Sequence, residues 1–138
     1  MKFVLDTNVL SELDGRPRAN AGVKKWASSV PQFDQYISSV SLLEIEIGAR
    51  RLLRRDKERG GFLLSWIEDR VLPTFAGRIL SFDAAVARQC AHLHVPVPRP
   101  ERDAMIAATV LAHGMTLVTR NTKDFQNTSV PLINPFDI

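Results

Sequence analysis

Cysteine and tyrosine each occur once in the 138 residues, tryptophan twice and histidine three times. The lone Cys90 excludes an internal disulfide, and its setting, Ala87-Arg88-Gln89-Cys90-Ala91, suits a buried, inert thiol on a helix. The histidines make no metal cage: His92 and His94, two apart, point to different faces of a helix, and His113 stands near a helix end. No apolar run approaches the roughly 18 residues that span a bilayer. The first run, Phe3-Val4-Leu5, is cut short by Asp6, so neither membrane segment nor secretory signal is expected, and the reading is a cytoplasmic protein. Internal repeats, low-complexity tracts and linkers are also missing.

What is present is ordinary in bulk. With 45% apolar and 24% charged residues, a chain of this length suits a single domain, 1–138, able to bury a core. Net charge is only +3, yet four acids, Asp6, Glu44, Asp103 and Asp124, recur where an α/β unit would expose them. With those set aside, 11 acids remain against 18 bases, leaving +7 on the rest. A basic body around an acidic, cation-loaded pocket suits a polyanion such as nucleic acid, although solubility alone also accounts for the balance.

Along the chain, Lys2 to Leu5 reads as a buried strand turning into a helix at Asp6-Thr7-Asn8, interrupted by Gly15 to Pro17. A helix over Ala21 to Val30 and a strand over Gln35 to Val40 follow. Ser41 opens a helix with Leu42, Ile45, Ala49, Leu52 and Leu53 on one face, punctuated by Gly60-Gly61. Phe62 to Leu72 reads as a helix ended before Pro73, Arg78 to Phe82 as a strand, and Asp83 as N-cap for Ala84 to Leu93. After a proline-rich loop, Val95 to Pro100, a helix from Asp103 stops at Gly114. Met115 to Val118 and Val130 to Ile133 are the last strands. The alternation predicts an α/β fold, a three-layer α/β/α sandwich with a mainly parallel five-stranded sheet, whose ligands lie at the carboxyl ends of the strands.

Each acid has a structural explanation beside a functional one. Asp6 before a helix can be a cap, and Ser41-x-x-Glu44 fits a capping box in which the glutamate reaches the Ser41 amide. Asp103 in a first helical turn suits the helix dipole, and Asp124 can shape a turn. Together they suggest more. Carboxylates about 5 Å apart repel by roughly 3 kcal/mol per pair at an effective dielectric near 20, so a shared pocket calls for a cation. Oxygen ligands suit Mg²⁺ or Mn²⁺, which activate water and steady a phosphate under attack. Thr7, Asn8, Thr119 and Asn121 can orient a ligand carboxylate or a water. The charged run from Arg50 to Arg59 reads as a solvated helix face, Glu46 faces away from Glu44, and Trp26 and Trp66 read as core.

Four motifs occur in order: Val4-Leu5-Asp6-Thr7-Asn8-Val9-Leu10-Ser11-Glu12-Leu13; Ser41-Leu42-Leu43-Glu44-Ile45-Glu46-Ile47-Gly48; Asp103-Ala104-Met105-Ile106-Ala107-Ala108; and Leu117-Val118-Thr119-Arg120-Asn121-Thr122-Lys123-Asp124-Phe125. In this order, across nearly the whole chain, they closely resemble the PIN-domain ribonucleases, best the VapC-type toxins of bacterial toxin–antitoxin pairs, including the FitB-like branch. The resemblance implies a Mg²⁺- or Mn²⁺-dependent endoribonuclease, a homodimer, and control by a VapB-type antitoxin whose C-terminal segment lies across the acidic groove. It places Asp6, Glu44 and Asp103 at the acidic triad, Asp124 at a fourth acid, and Thr119 and Asn121 at supporting positions. One departure is Glu101-Arg102 before Asp103, where smaller or less charged residues are expected; it bears on substrate contacts rather than on the metal site.

The expected chemistry is cation binding by Asp6, Glu44, Asp103 and Asp124, hydrolysis of an RNA phosphodiester, and phosphate contacts from Arg99, Arg102, Arg120 and Lys123. Two rivals are a catalytically silent RNA-binding module whose acids are caps, and a phosphoacceptor receiver domain. Against the receiver, no paired acids follow the first strand and no Lys-Pro lies near the last.

Overall fold

All three residues of the first strand are buried, as expected of a strand covered on both faces. In the computed structural model, which describes residues 1–138, this strand, β1 (Phe3–Leu5), is the middle of a five-stranded sheet. The others are β2 (Gln35–Ser38), β3 (Ile79–Leu80), β4 (Thr116–Val118) and β5 (Leu132–Ile133), in the order β3-β2-β1-β4-β5. Every pairing is parallel. Strand order reverses at the β1/β4 pair, where Leu5 lies opposite Val118. The residues that follow, Asp6 and Thr119, therefore emerge side by side at the switch point, where open parallel sheets place their ligands.

Helices cover both faces. Phe3 and Leu5 point to one side, onto α1 (Thr7–Ser11), α2 (Ala21–Ser29), α3 (Ser39–Arg55) and α4 (Lys57–Trp66). There Phe3 meets Trp26 edge to face with ring centroids 5.3 Å apart, a favoured aromatic geometry. Val4, between them, points the other way, onto Ile106, Ala107 and Val110 of α7 (Glu101–His113). α6 (Ala84–Leu93) packs on α7 through Val86, Cys90, Ala104 and Ala108. Cys90 is buried there, and burial pushes its thiol pKa up, which disfavours the reactive thiolate. No helix is long and apolar enough to cross a membrane.

Several expected boundaries move. β2 stops at Ser38, whose side chain accepts from the Ser41 amide at 3.1 Å, so α3 begins at Ser39, two residues before the predicted start. The break after α3 falls at Asp56, which caps α4 through the Arg59 amide, and not at Gly60-Gly61. Gly60 lies inside α4 because the two helices touch: a Cβ there would sit 2.4 Å from the Leu53 Cα and backbone nitrogen. The helix also passes Pro73. A π-turn over Ile67–Val71 leads into the short α5 (Leu72–Thr74), where Pro73 takes an opening position that needs no N–H. The predicted third strand, Arg78 to Phe82, shrinks to Ile79–Leu80. Asp83 does cap α6 through the Val86 amide at 3.0 Å, and Gly114 ends α7 at φ 64° in the left-handed region.

Candidate active site

Asp6 is 5% exposed and carries no cationic partner. Its Oδ1 accepts from the Thr7 amide at 2.8 Å, which caps α1; its Oδ2 accepts from Thr119 Oγ1 at 2.8 Å and Asn8 Nδ2 at 3.3 Å. Capping and site placement thus coexist in one side chain. The fixed partners point Oδ2 across the β1/β4 switch point. Thr119, fully buried, accepts from the Asn121 amide at 3.0 Å, and Asn8 Oδ1 accepts from the Arg120 amide at 3.1 Å. The predicted supporting residues Thr7, Asn8, Thr119 and Asn121 therefore form one hydrogen-bonded frame around Asp6. Asn121 contributes through its backbone.

Glu44 makes no capping box. Ser38 holds the Ser41 amide, and Glu44 points across to α1, where its Oε1 accepts from Thr7 Oγ1 at 2.6 Å. Ser41 Oγ lies 3.0 Å from the same threonine oxygen. With the Thr7 proton on the carboxylate, Ser41 is the donor to Thr7. Ser41 was not among the expected site residues; its signal was a polar residue one helical turn before Glu44. The other oxygen, Oε2, faces Arg102 Nη1 at 3.7 Å. Asp103 is half-buried in the first turn of α7, and Asp124 lies exposed in the turn Thr122–Phe125.

Charge shows how these acids relate. The pKa of Asp6 is raised above its ordinary value, first by burial; hydrogen bonds from Thr119, Thr7 and Asn8 pull it down, and the Glu44 charge pushes it up. Asp103 is also raised, first by burial, then by the charges of Asp6, Asp124 and Glu44. Four sequence-distant acids share one electrostatic neighbourhood in which negative charge is under-compensated. They do not yet close on one point: no three acidic, histidine or cysteine side chains form a group that would hold a metal as they stand. Four oxygens of the set already have partners: Asp6 Oδ1 and Oδ2 through Thr7, Thr119 and Asn8, Glu44 Oε1 through Thr7, and Glu44 Oε2 facing Arg102. The donors are all carboxylate oxygens on a crowded, negative pocket, which suits a hard divalent cation and not a soft one.

The expected phosphate contacts divide. Arg120 and Lys123 line an all-polar recess of about 350 Å³ with Asn121, Thr122, Asp124 and Asn134, next to the acids. Arg99 faces other work: its guanidinium donates to the carbonyls of Leu93, Gln126 and Asn127, joining the loop before α7 to the segment after Phe125. In this position it is a structural clamp between the two segments. A second recess of about 220 Å³ adjoins Glu44 on its other side, between Thr7, Ser11, Arg16, Gly48 and Trp66. A cleft of about 260 Å³ beside Leu10, Ala27 and Phe75 lies away from the carboxylates. In the basic run, Arg50 pairs with Glu46 at 2.5 Å, and Arg51, Arg54, Arg55, Lys57 and Arg59 are exposed.

Residues 3–130 match the PIN domain. Toxin FitB of Neisseria gonorrhoeae is 36% identical over 139 residues, covering 97% of this chain and 98% of that protein. A VapC ribonuclease of Sinorhizobium fredii is 32% identical over 140 residues, covering 98% of each. Among solved structures, FitAcB from Neisseria gonorrhoeae superposes with a TM-score of 0.89 at 35% identity over 99% of both chains. A toxin–antitoxin complex from Klebsiella pneumoniae does so at 0.70 and 27% identity, over 99% of this chain and all of that one. With a match over nearly its full length, and with Asp6 at the switch point of a parallel five-stranded sheet, this chain belongs to the PIN-domain family.

Proposed function

We propose that the whole chain acts as one catalytic unit, an endoribonuclease toxin of a bacterial toxin–antitoxin pair that works in the cytoplasm with Mg²⁺ or Mn²⁺. The observation that carries this reading is the gathering of Asp6, Glu44, Asp103 and Asp124 in one partly buried neighbourhood: burial raises the pKa of Asp6 and Asp103 first, and the charge of Glu44 on Asp6, and of Asp6, Asp124 and Glu44 on Asp103, adds to it. A divalent cation bound there would supply a water of lowered pKa and offset the charge that builds on a phosphate under attack. Asp6, Glu44 and Asp103 would hold it, with Asp124 completing the shell. Thr119 and Asn8 keep Asp6 Oδ2 aimed at the pocket, and Thr7 orients Glu44. Arg120 and Lys123 face the polar recess where an RNA backbone would run.

The toxin reading draws on relatives named toxin and VapC ribonuclease and on a solved toxin–antitoxin complex. On that basis the chain pairs with itself and with a VapB-type antitoxin that covers the acidic groove. Purified protein given Mg²⁺ or Mn²⁺ should cut a structured RNA, and Asp6→Asn or Asp103→Asn should abolish cleavage. Cleavage unchanged in EDTA would reject the mechanism. Co-expression of the cognate antitoxin should relieve growth arrest, and failure to form a complex with it would count against the pairing.

A further inference from the structure

Of the four cations expected at phosphate, Arg99 is held by backbone carbonyls, and among Arg102, Arg120 and Lys123 one behaves unlike the others. Arg120 lies over the Phe136 ring, 5.1 Å from its centroid. Lys123 makes no ion pair, whereas Arg102 reaches into the acid cluster and is the sole cation within 4.0 Å of a site carboxylate. It stands immediately before Asp103 on α7, so the backbone that positions one acid also delivers a positive charge to another.

We propose that Arg102 is a built-in counter-cation: it rests on Glu44 until a divalent cation takes its place, and the released guanidinium then holds a phosphate of the bound RNA. The inference rests on the metal-dependent ribonuclease reading and deepens it. Three features support exchange over a permanent bridge. The contact is long, 3.7 Å through a single nitrogen, where a tight guanidinium–carboxylate pair comes to about 2.7–2.9 Å and is often bidentate. The Arg102 side chain is 46% exposed and that of Glu44 25%, so water can replace either partner. No other hydrogen bond holds the guanidinium, in contrast to Arg99 with its three carbonyls.

The exchange has a definite direction. The guanidinium carries a single charge, is tethered to α7, and reaches Glu44 alone among the site acids, so it neutralises one carboxylate without gathering the others. A divalent ion can take oxygen from several acids, and its charge repels Arg102 from the same place. Once displaced, Arg102 lies at the rim of the pocket with its planar fork free, a geometry that fits two phosphate oxygens. The unusual Glu101-Arg102 pair before Asp103 thus acquires a role in loading order: cation first, then RNA.

Mn²⁺ affinity measured by the electron-spin signal of the free ion, for wild type, Arg102→Gln and Arg102→Lys, tests the first half. Arg102→Gln should bind Mn²⁺ about two- to fivefold more tightly, the range expected on removing one exposed competing pair, and Arg102→Lys should stay near wild type. Binding of a fluorescent single-stranded RNA, read by anisotropy with Ca²⁺ in place of Mn²⁺ and again in EDTA, tests the second. With Ca²⁺, Arg102→Gln should lower the slope of log affinity against log salt by about 0.7, the loss of one phosphate contact; in EDTA it should leave the slope unchanged. Mn²⁺ affinity unchanged or weakened in Arg102→Gln, or one slope change under both conditions, overturns the proposal. Asp103→Asn separates the two readings. If it loses Mn²⁺ while Arg102→Gln matches wild type, only the Arg102 role fails; if wild type binds no Mn²⁺, both fail.

Discussion

Two buried aspartates at opposite ends of α1 live by different rules. Asp14, 8% exposed, has its own cation: its Oδ2 lies 2.7 Å from Arg16 Nε, and its Oδ1 also accepts from the Arg16 backbone amide at 3.1 Å, across Gly15 at φ 86°. Asp6, 5% exposed, has only neutral donors, and its nearest charged neighbours are other acids. A fold that merely needs a carboxylate in a turn supplies the positive charge within two residues. At Asp6 no side chain of the fold supplies that charge, and the one cation at the pocket, Arg102, stands on Glu44 instead.

The largest effect should come from reversing the chemistry on one side only. Asp6→Asn or Asp103→Asn should cut RNA hydrolysis by at least about 10²–10³-fold, the scale of losing one element of charge stabilisation, while the thermal midpoint stays level or rises. Asp14→Asn should do the opposite, leaving cleavage near wild type and lowering stability by about 1–2 kcal/mol in urea titrations, because Arg16 loses its partner. An Asp14 variant as dead in RNA cleavage as an Asp6 variant would erase the distinction.

Cation loading should come next. Mn²⁺ at about 100 times its dissociation constant should stabilise wild type by about 2.7 kcal/mol and leave Asp103→Asn nearly unmoved, measured as the shift of the unfolding curve. The pH dependence follows from the raised pKa values. The folded state holds its protons on Asp6 and Asp103 more tightly than the unfolded chain does, so their contribution to stability is present below the ordinary value of 3.8. It is lost as pH climbs through the raised folded values. Without metal, the stability advantage of Asp103→Asn over wild type should be absent near pH 3.8 and grow toward neutrality, and Mn²⁺ should erase it. The smallest effect belongs to Thr119→Val, which removes the hydroxyl that donates to Asp6 and accepts from the Asn121 amide: Mn²⁺ affinity should fall by about two- to tenfold, with the fold intact by circular dichroism.

Much of this architecture could be read from residue order. The buried run before Asp6, the N-cap at Asp83 and the C-terminal glycine of α7 are local signals, and local signals fix local structure. Errors arose where a distant neighbour decided. Gly60 looked like punctuation, yet it answers to Leu53 on the adjoining helix. Glu44 shows the same limit at the site. Its capping-box pattern with Ser41 is real in sequence, but Thr7, 37 positions away, takes the carboxylate. That Asp6, Glu44, Asp103 and Asp124 would influence one another depended on the order β3-β2-β1-β4-β5, which periodicity does not encode.

The strand that carries Asp6 is the innermost of the sheet, with Val4 and Leu5 wholly inaccessible to water and neighbours hydrogen-bonded along both sides. Amides in such a position exchange only when the entire domain opens, not through fraying of a loop or a helix end. The geometry around Asp6 therefore lasts as long as the folded protein does, with no partial melting available to silence it.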